Sequence, residues 1–134
     1  MAVEFSILDQ KQVILVEIEG ALDAAKMQEM RQQTAARASE TGFRDFIFDL
    51  RRLQSLVNGD PGAIVELGNS FKNHKFSVWS NTAVLMPTDR VAYEQVELLF
   101  SIEVSRGRGV LDYVESVDEA FTWFEDMARR VQAV

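Results

Sequence analysis

Apolar and polar residues alternate with a period of two at the start of the chain. Val3, Phe5 and Ile7 fall on one side of a strand, and Asp9-Gln10-Lys11-Gln12 breaks the run. Alternation resumes from Val13, with Ile14, Val16 and Ile18 facing one way and Val13, Leu15 and Glu17 the other. Two such runs across a short polar turn predict an antiparallel hairpin. Gly20 reads as the end of the second strand. Asp23 reads as the N-cap of a helix from Ala24 to about Ser39, stopped by Gly42. Its apolar stripe is weak: Leu22, Ala25, Met30 and Ala38.

Farther along, Phe46–Leu50 is a nearly continuous apolar run, as expected of a central strand covered on both faces. Asp60-Pro61 opens a second helix, because proline is tolerated where the N–H has no helical partner. Ile64, Leu67, Gly68 and Phe71 form its inward stripe. A strand over Thr82–Met86 ends at Pro87. Thr88 or Asp89 then caps a helix with Ala92, Val96, Leu99 and Phe100 inward. Val110–Val114 is the fifth strand. Ser116 and Glu119 have capping-box spacing, and Val117, Phe121, Phe124, Ala128 and Val131 recur at helical spacing, leaving Trp123 off the stripe. The resulting order, β-β-α-β-α-β-α-β-α, predicts an α/β domain. It has a mostly parallel five-stranded sheet, an antiparallel edge strand and four helices. No linker, repeat or low-complexity stretch divides the chain, so residues 1–134 are expected to form one domain.

Charge narrows the partners. A net charge of −7 repels phosphate backbones, and Arg51-Arg52, Arg106-Gly107-Arg108 and Arg129-Arg130 form no continuous basic stripe, so nucleic acid is not expected. The absence of cysteine excludes disulfides, thiolate nucleophiles and thiolate-held metals. No apolar run approaches the roughly 18 residues of a membrane span. The first residues lack the basic and apolar regions of a signal peptide, and a cytoplasmic location is expected.

Catalytic signatures are missing. No Gly-rich phosphate loop or nucleophile elbow occurs, and Gly107-Arg108-Gly109 precedes a strand, whereas a dinucleotide motif follows one. A Ser-His-Asp arrangement would have to use His74, the one histidine, with Ser55, Ser70 or Ser77 and Asp49 or Asp60. Its spacing to Glu66 specifies no metal site. Glu94 and Glu97, like Glu115, Asp118 and Glu119, read as helix-start or solvating acids rather than acid/base pairs. No enzyme activity, cofactor or metal is expected. The most suggestive segment is Arg51–Asp60, expected as a loop leaving the carboxyl end of the central strand for a helix start, where ligands of open α/β sheets gather. Arg51 or Arg52 and free N–H groups of that helix could hold an anion, while Asn58 or Asp60 as a simple cap is the competing reading.

Several of these patterns resemble the STAS domain, the family of the sporulation anti-anti-sigma factors. Gly20-Ala21-Leu22-Asp23 resembles that family's Gly-x-Leu-Asp, and Phe46–Leu50 resembles its central strand ending in Asp-Leu. Asp49-Leu50-Arg51, His74 with Phe76, and Glu119-Ala120 to Trp123 look most like the uncharacterised SpoIIAA-like subgroup, whose fold resembles the CRAL-TRIO lipid-binding domains. In phosphorylated STAS proteins a loop after Asp-Leu ends in Asp-Ser-Ser-Gly, and a partner kinase targets the first serine. Aligned on Asp49-Leu50, this chain has Asn58 at that serine and Gly59 at the next, neither with a hydroxyl; Ser55 lies three positions early. The resemblance implies a regulatory module that binds another protein through Arg51, Arg52, Asn58, Gly59 and Asp60, without the phosphorylation switch. The alternative is a carrier of an apolar small molecule or lipid, with Phe71, Phe76, Trp79 and Phe100 lining a pocket between sheet and helices. Such aromatics are otherwise core.

Overall fold

The computed structural model describes residues 2–70, 80–105 and 110–132, with the backbone alone at 2, 58, 68–70, 103–105 and 131–132. The elements are β1 (Ala2–Leu8), β2 (Val13–Leu22), α1 (Ala24–Thr41), β3 (Asp45–Leu56), α2 (Pro61–Ser70), β4 (Asn81–Leu85), α3 (Arg90–Ser105), β5 (Val110–Tyr113) and α4 (Val117–Gln132). A 3-10 turn, Val57–Gly59, joins β3 to α2. The five strands lie side by side in sequence order, β1 antiparallel to β2 and every later pair parallel. This is the expected sheet, with β3 in its centre.

Alternation along the strands sorts the core into two layers. Ile14, Val16 and Ile18 of β2, Phe46, Leu50, Leu53 and Leu56 of β3 and Val84 of β4 pack with Met27 and Met30 of α1, Ile64 and Leu67 of α2, and Ala92, Val96 and Leu99 of α3. On the opposite face Val13, Ile47, Ala83 and Leu85 meet Val114 and the α4 residues Ala120 and Phe124. Among the described residues, three helices thus serve one face and α4 serves the other. Its apolar cover ends where β2 changes from Val13 and Leu15 to Glu17 and Glu19, and β3 from Ile47 to Asp49. Beyond that line the second face is charged.

Three expectations need correction. The inward stripe of α1 is Met27, Met30, Arg31 and Thr34, at spacings 3, 4 and 7 from Met27, and Ala25 is exposed. Long side chains offer more area to bury than alanines, so they set the helix's rotation. Trp123 packs beside Phe124 against the second layer, ring centroids 5.4 Å apart, whereas Ala128 is exposed. A flat sheet accepts a wider arc of a helix than a single stripe. Most consequential, β2 runs past Gly20 to Leu22, and β3 runs past Leu50 to Leu56. The segment expected as a loop is strand up to Leu56. Buried Leu53 and Leu56 pull it onto the main core, and ladder bonds to β2 satisfy its backbone better than a buried loop could.

Capping follows the sequence closely. Asp23 accepts the Lys26 N–H at 2.8 Å, Gly42 closes α1 in the left-handed region at φ 73°, and Asp89 accepts the Ala92 N–H at 2.9 Å. At α4, Ser116 Oγ accepts the Glu119 N–H at 3.1 Å. The Glu119 carboxylate returns one residue farther than a capping box requires, to the Glu115 N–H at 2.8 Å.

Candidate functional site

β4 pairs with β3 only over Asp45–Asp49, while β2 follows β3 to Leu56. Past Asp49, the β4-facing edge of the central strand is therefore released from the sheet. The β2–β3 register slips between Glu17 and Glu19, which face Asp49 and Arg52, and again between Gly20 and Ala21, which face Leu53 and Ser55. Each slip places an extra residue in β3, a bulge that re-aims side chains. Bulged Arg51 has its backbone satisfied from outside the ladder. Its N–H donates to Asp49 Oδ1 at 3.2 Å, and its carbonyl accepts the Thr88 N–H at 3.3 Å and hydroxyl at 3.1 Å.

The Arg51 side chain folds back onto the same acid. Nε donates to Asp49 Oδ1 at 2.9 Å and Nη2 to Oδ2 at 2.8 Å, a bidentate pair across two residues of one strand. Partial burial pushes the Asp49 carboxyl upward, but the hydrogen bonds and charge of Arg51, with the charge of Arg52, outweigh it and hold Asp49 below the ordinary carboxylate range. Arg52 points to Glu19 at 3.9 Å, with both side chains well exposed, so that pair contributes little. Glu4 and Glu17 stand directly opposite each other across β1 and β2, and Asp49 is opposite Glu17 on β3. These residues, with Glu19 and Thr88, line a groove of about 440 Å³ on the part of the sheet that no described helix covers. Its chemistry is ionic and open.

Asn58, Gly59 and Asp60 stand apart from that groove, in the turn onto α2. Asp60 starts the helix: its carbonyl accepts the Ile64 N–H at 3.1 Å and its Oδ1 the Gly62 N–H at 3.0 Å. A carboxylate of the chain itself thus holds a helix-start donor that the sequence reading offered to an anion. Val57, buried and β-branched, has φ 44°. That conformation is a strain of order 1–3 kcal/mol for such a residue. Next to it, the buried side chain of Gln95 on α3 accepts the Leu56 N–H through Oε1 at 2.7 Å. Gly59 has φ 75°, and a Cβ there would lie 3.0 Å from Gln95 Nε2.

The structure therefore divides the five expected partner-binding residues. Arg51 and Arg52 flank the ionic groove, and 58–60 form a separate corner at the same, carboxyl end of β3. The Asn58 side chain is outside the described residues, as are Phe71, His74, Phe76, Ser77, Trp79 and residues 106–109. Phe100 is half-buried and packs against the main core. Glu94 pairs with Arg90 at 3.6 Å and, with Glu97, Tyr93 and Thr88, lines a second groove of about 400 Å³. Thr88 belongs to both grooves. Among the described residues no three acids, histidines or cysteines are grouped to hold a metal. No described helix is long and apolar enough to cross a membrane.

The sequence reading passed over Gln95 and the Asp49–Arg51 pair. Both left a signal. Ala92, Gln95, Val96 and Leu99 share a helical stripe, so Gln95 is a polar residue at a buried position and requires a partner. Opposite charges at i and i+2 of a strand share a face.

No protein-family model and no curated protein matches this chain. Solved structures do. It is similar to the anti-sigma factor antagonist SpoIIAA in its unphosphorylated form, at 15% identity and a TM-score of 0.60 over 99% of this chain and 98% of that one. It is also similar to an uncharacterised protein of the DUF3478 family with a SpoIIAA-like fold, from Shewanella loihica, at 13% identity and a TM-score of 0.54 over 91% of each chain. At these identities the likeness establishes the fold.

Proposed function

From a SpoIIAA-like fold, we propose that this chain is a non-catalytic regulatory module that binds another protein at the carboxyl end of β3. Arg51 and Arg52 provide one part of the surface, and Asn58, Gly59 and Asp60 the other. The observation that carries this reading is the overrun of the central strand. β3 outlasts β4 and presents two arginines and a turn beyond the carboxyl end of the shared ladder. The fold likeness supports it, since SpoIIAA is described as an anti-sigma factor antagonist, a role exerted on a protein.

We further infer that any control of this surface differs from serine phosphorylation, because alignment on Asp49-Leu50 puts Asn58 and Gly59 at the hydroxyl-bearing positions of the STAS family. A cytoplasmic setting belongs to the same reading. The carrier alternative draws less support: Phe100, of its four aromatics the one among the described residues, is spent on core packing.

Pull-down from host lysate tests the surface. A protein captured by the wild type should be recovered at least tenfold less on Asn58→Arg and on Arg52→Glu, and fully on Arg130→Glu, which alters exposed α4 instead. Equal recovery on all variants would remove the case for this site. A lipid co-purifying stoichiometrically in native mass spectrometry would favour the carrier.

A further inference from the structure

We propose that Gln95 of α3 is a positioning residue for the docking corner, a latch that holds Leu56–Gly59 in a shape its own backbone disfavours. This rests on the docking reading for its biological meaning and on the corner's geometry for its physics.

Five observations converge on the turn. Val57 occupies the left-handed region at φ 44°, where a β-branched side chain crowds its own backbone. A free chain would leave that region, so neighbouring contacts must over-determine it. The first is burial: the Val57 side chain, 6% exposed, sits in the main core. The second is the 3-10 closure, Asp60 N–H to Val57 carbonyl at 3.1 Å. The third is Gln95, whose Oε1 accepts the Leu56 N–H at 2.7 Å from a different element, 39 residues along the chain. Gly59 completes the fit, because a Cβ there would approach Gln95 Nε2 to 3.0 Å and its φ of 75° suits glycine.

The consequence is a division of labour. Arg52 is fixed by the ladder to β2, and Arg51 by its bonds to Asp49 and Thr88. The corner has no ladder past Leu56, and a strained turn without its latch would populate relaxed alternatives. A partner reading 58–60 would then meet a mixture of shapes and lose affinity to the ordering cost. The latch pre-organises the corner. It also makes α3 the element through which a second event could alter the docking surface.

Amide hydrogen exchange, followed residue by residue on the full chain, tests this without a partner. In Gln95→Met, which keeps size and removes the acceptor, the Leu56 amide should exchange at least tenfold faster, while Ile14 and Ile47 amides in the strand core stay within about threefold of wild type. Gln95→Glu retains an acceptor and should restore Leu56 protection. Gly59→Ala should reproduce the Gln95→Met effect by displacing the side chain, and it carries the test if Gln95→Met does not fold. Unchanged Leu56 protection in these variants, or an equal loss at Leu56, Ile14 and Ile47, would overturn the latch. Failure of the pull-down instead, with exchange as expected, would overturn the docking reading and leave the latch standing.

Discussion

Two aspartates of β3 illustrate how position, not type, decides a residue's contribution. Asp45 and Asp49 lie four apart on the same strand. Burial raises the Asp45 carboxyl, with the Asn81 Nδ2 hydrogen bond at 3.0 Å opposing it only in part. Burial also opposes ionisation of Asp49, but Arg51 and Arg52 reverse the balance and lower it. The two therefore act oppositely on stability. A lowered folded-state value means that Asp49 stabilises the fold above the ordinary carboxylate range and that this contribution fades as pH falls through its depressed value. Asp45, raised, favours the fold less at neutral pH and more as acid protonates it. Accordingly, Asp49→Asn should lower stability at pH 7 by up to about 1 kcal/mol, a modest figure because Arg51 is half exposed. The deficit should shrink as pH falls below the ordinary carboxylate range toward 3. Asp45→Asn should be neutral or slightly stabilising at pH 7. Urea titrations at the two pH values measure both. A further residue sits at this scale: Arg31, 3% exposed, reaches from α1 to the Leu67 carbonyl in the last turns of α2 at 3.1 Å. Arg31→Leu should cost about 1.5–3 kcal/mol, the usual worth of a hydrogen bond from a charged group, read as a lower urea midpoint.

Among the elements, β5 is one of the two edge strands of the sheet. It is short, with Val110 and Tyr113 exposed, and an edge strand of this kind invites pairing with another chain. The Val110 and Val114 N–H groups bond to the Ser80 and Val84 carbonyls, so by ladder alternation the Tyr113 N–H turns outward. Asp112 Oδ1 takes that N–H at 2.9 Å. One side chain both blocks the donor and places a negative charge on the edge. Asp112→Val should free the donor and raise β-propensity together, giving concentration-dependent self-association in sedimentation velocity where the wild type shows less. No change in sedimentation would mean that the edge is protected elsewhere. The adjacent Tyr113 hydroxyl is held above its ordinary range by partial burial, then by the charges of Glu97 and Tyr93.

For the whole molecule, the two faces of the sheet differ in kind. Three helices close one; on the other the apolar cover by α4 stops at the line marked by Glu17 and Asp49. The charged remainder carries Glu4, Glu17, Glu19 and Asp49 against Arg51 and Arg52, and the chain as a whole carries −7. Like charges directly opposite, as Glu4 and Glu17 are, oppose the pairing of β1 with β2. Added salt screens that repulsion, and the exposed ion pairs it also weakens are worth less. Thermal stability should therefore rise as ionic strength goes from about 10 mM to a few hundred mM, the range over which the Debye length falls from roughly 30 Å to below 10 Å. A fall over that range would show that the ion pairs outweigh the acidic surplus.

Most of the architecture was legible because it depends on local patterns. Period-two alternation located the β1–β2 hairpin, helical spacing and caps located the four helices, and the apolar run at Phe46–Leu50 marked the central strand. What those patterns could not show is how far a strand continues once its residues turn charged. Arg51, Arg52 and Gln54 look like loop, and only pairing with β2 and the burial of Leu53 and Leu56 make them strand. The candidate site shifted for the same reason. Its residues were named from their position after the strand, but whether they share one surface depends on bulges, on where β4 stops, and on a glutamine 39 residues away from the amide it holds. Sequence by itself determined which segments would be strands and helices and which strand faces would be apolar, because those properties are set by neighbours within a turn or two. Tertiary structure alone decided the reach of β3, the line where the apolar cover by α4 ends and the partner of Gln95, because each is fixed by contacts between segments far apart in the chain.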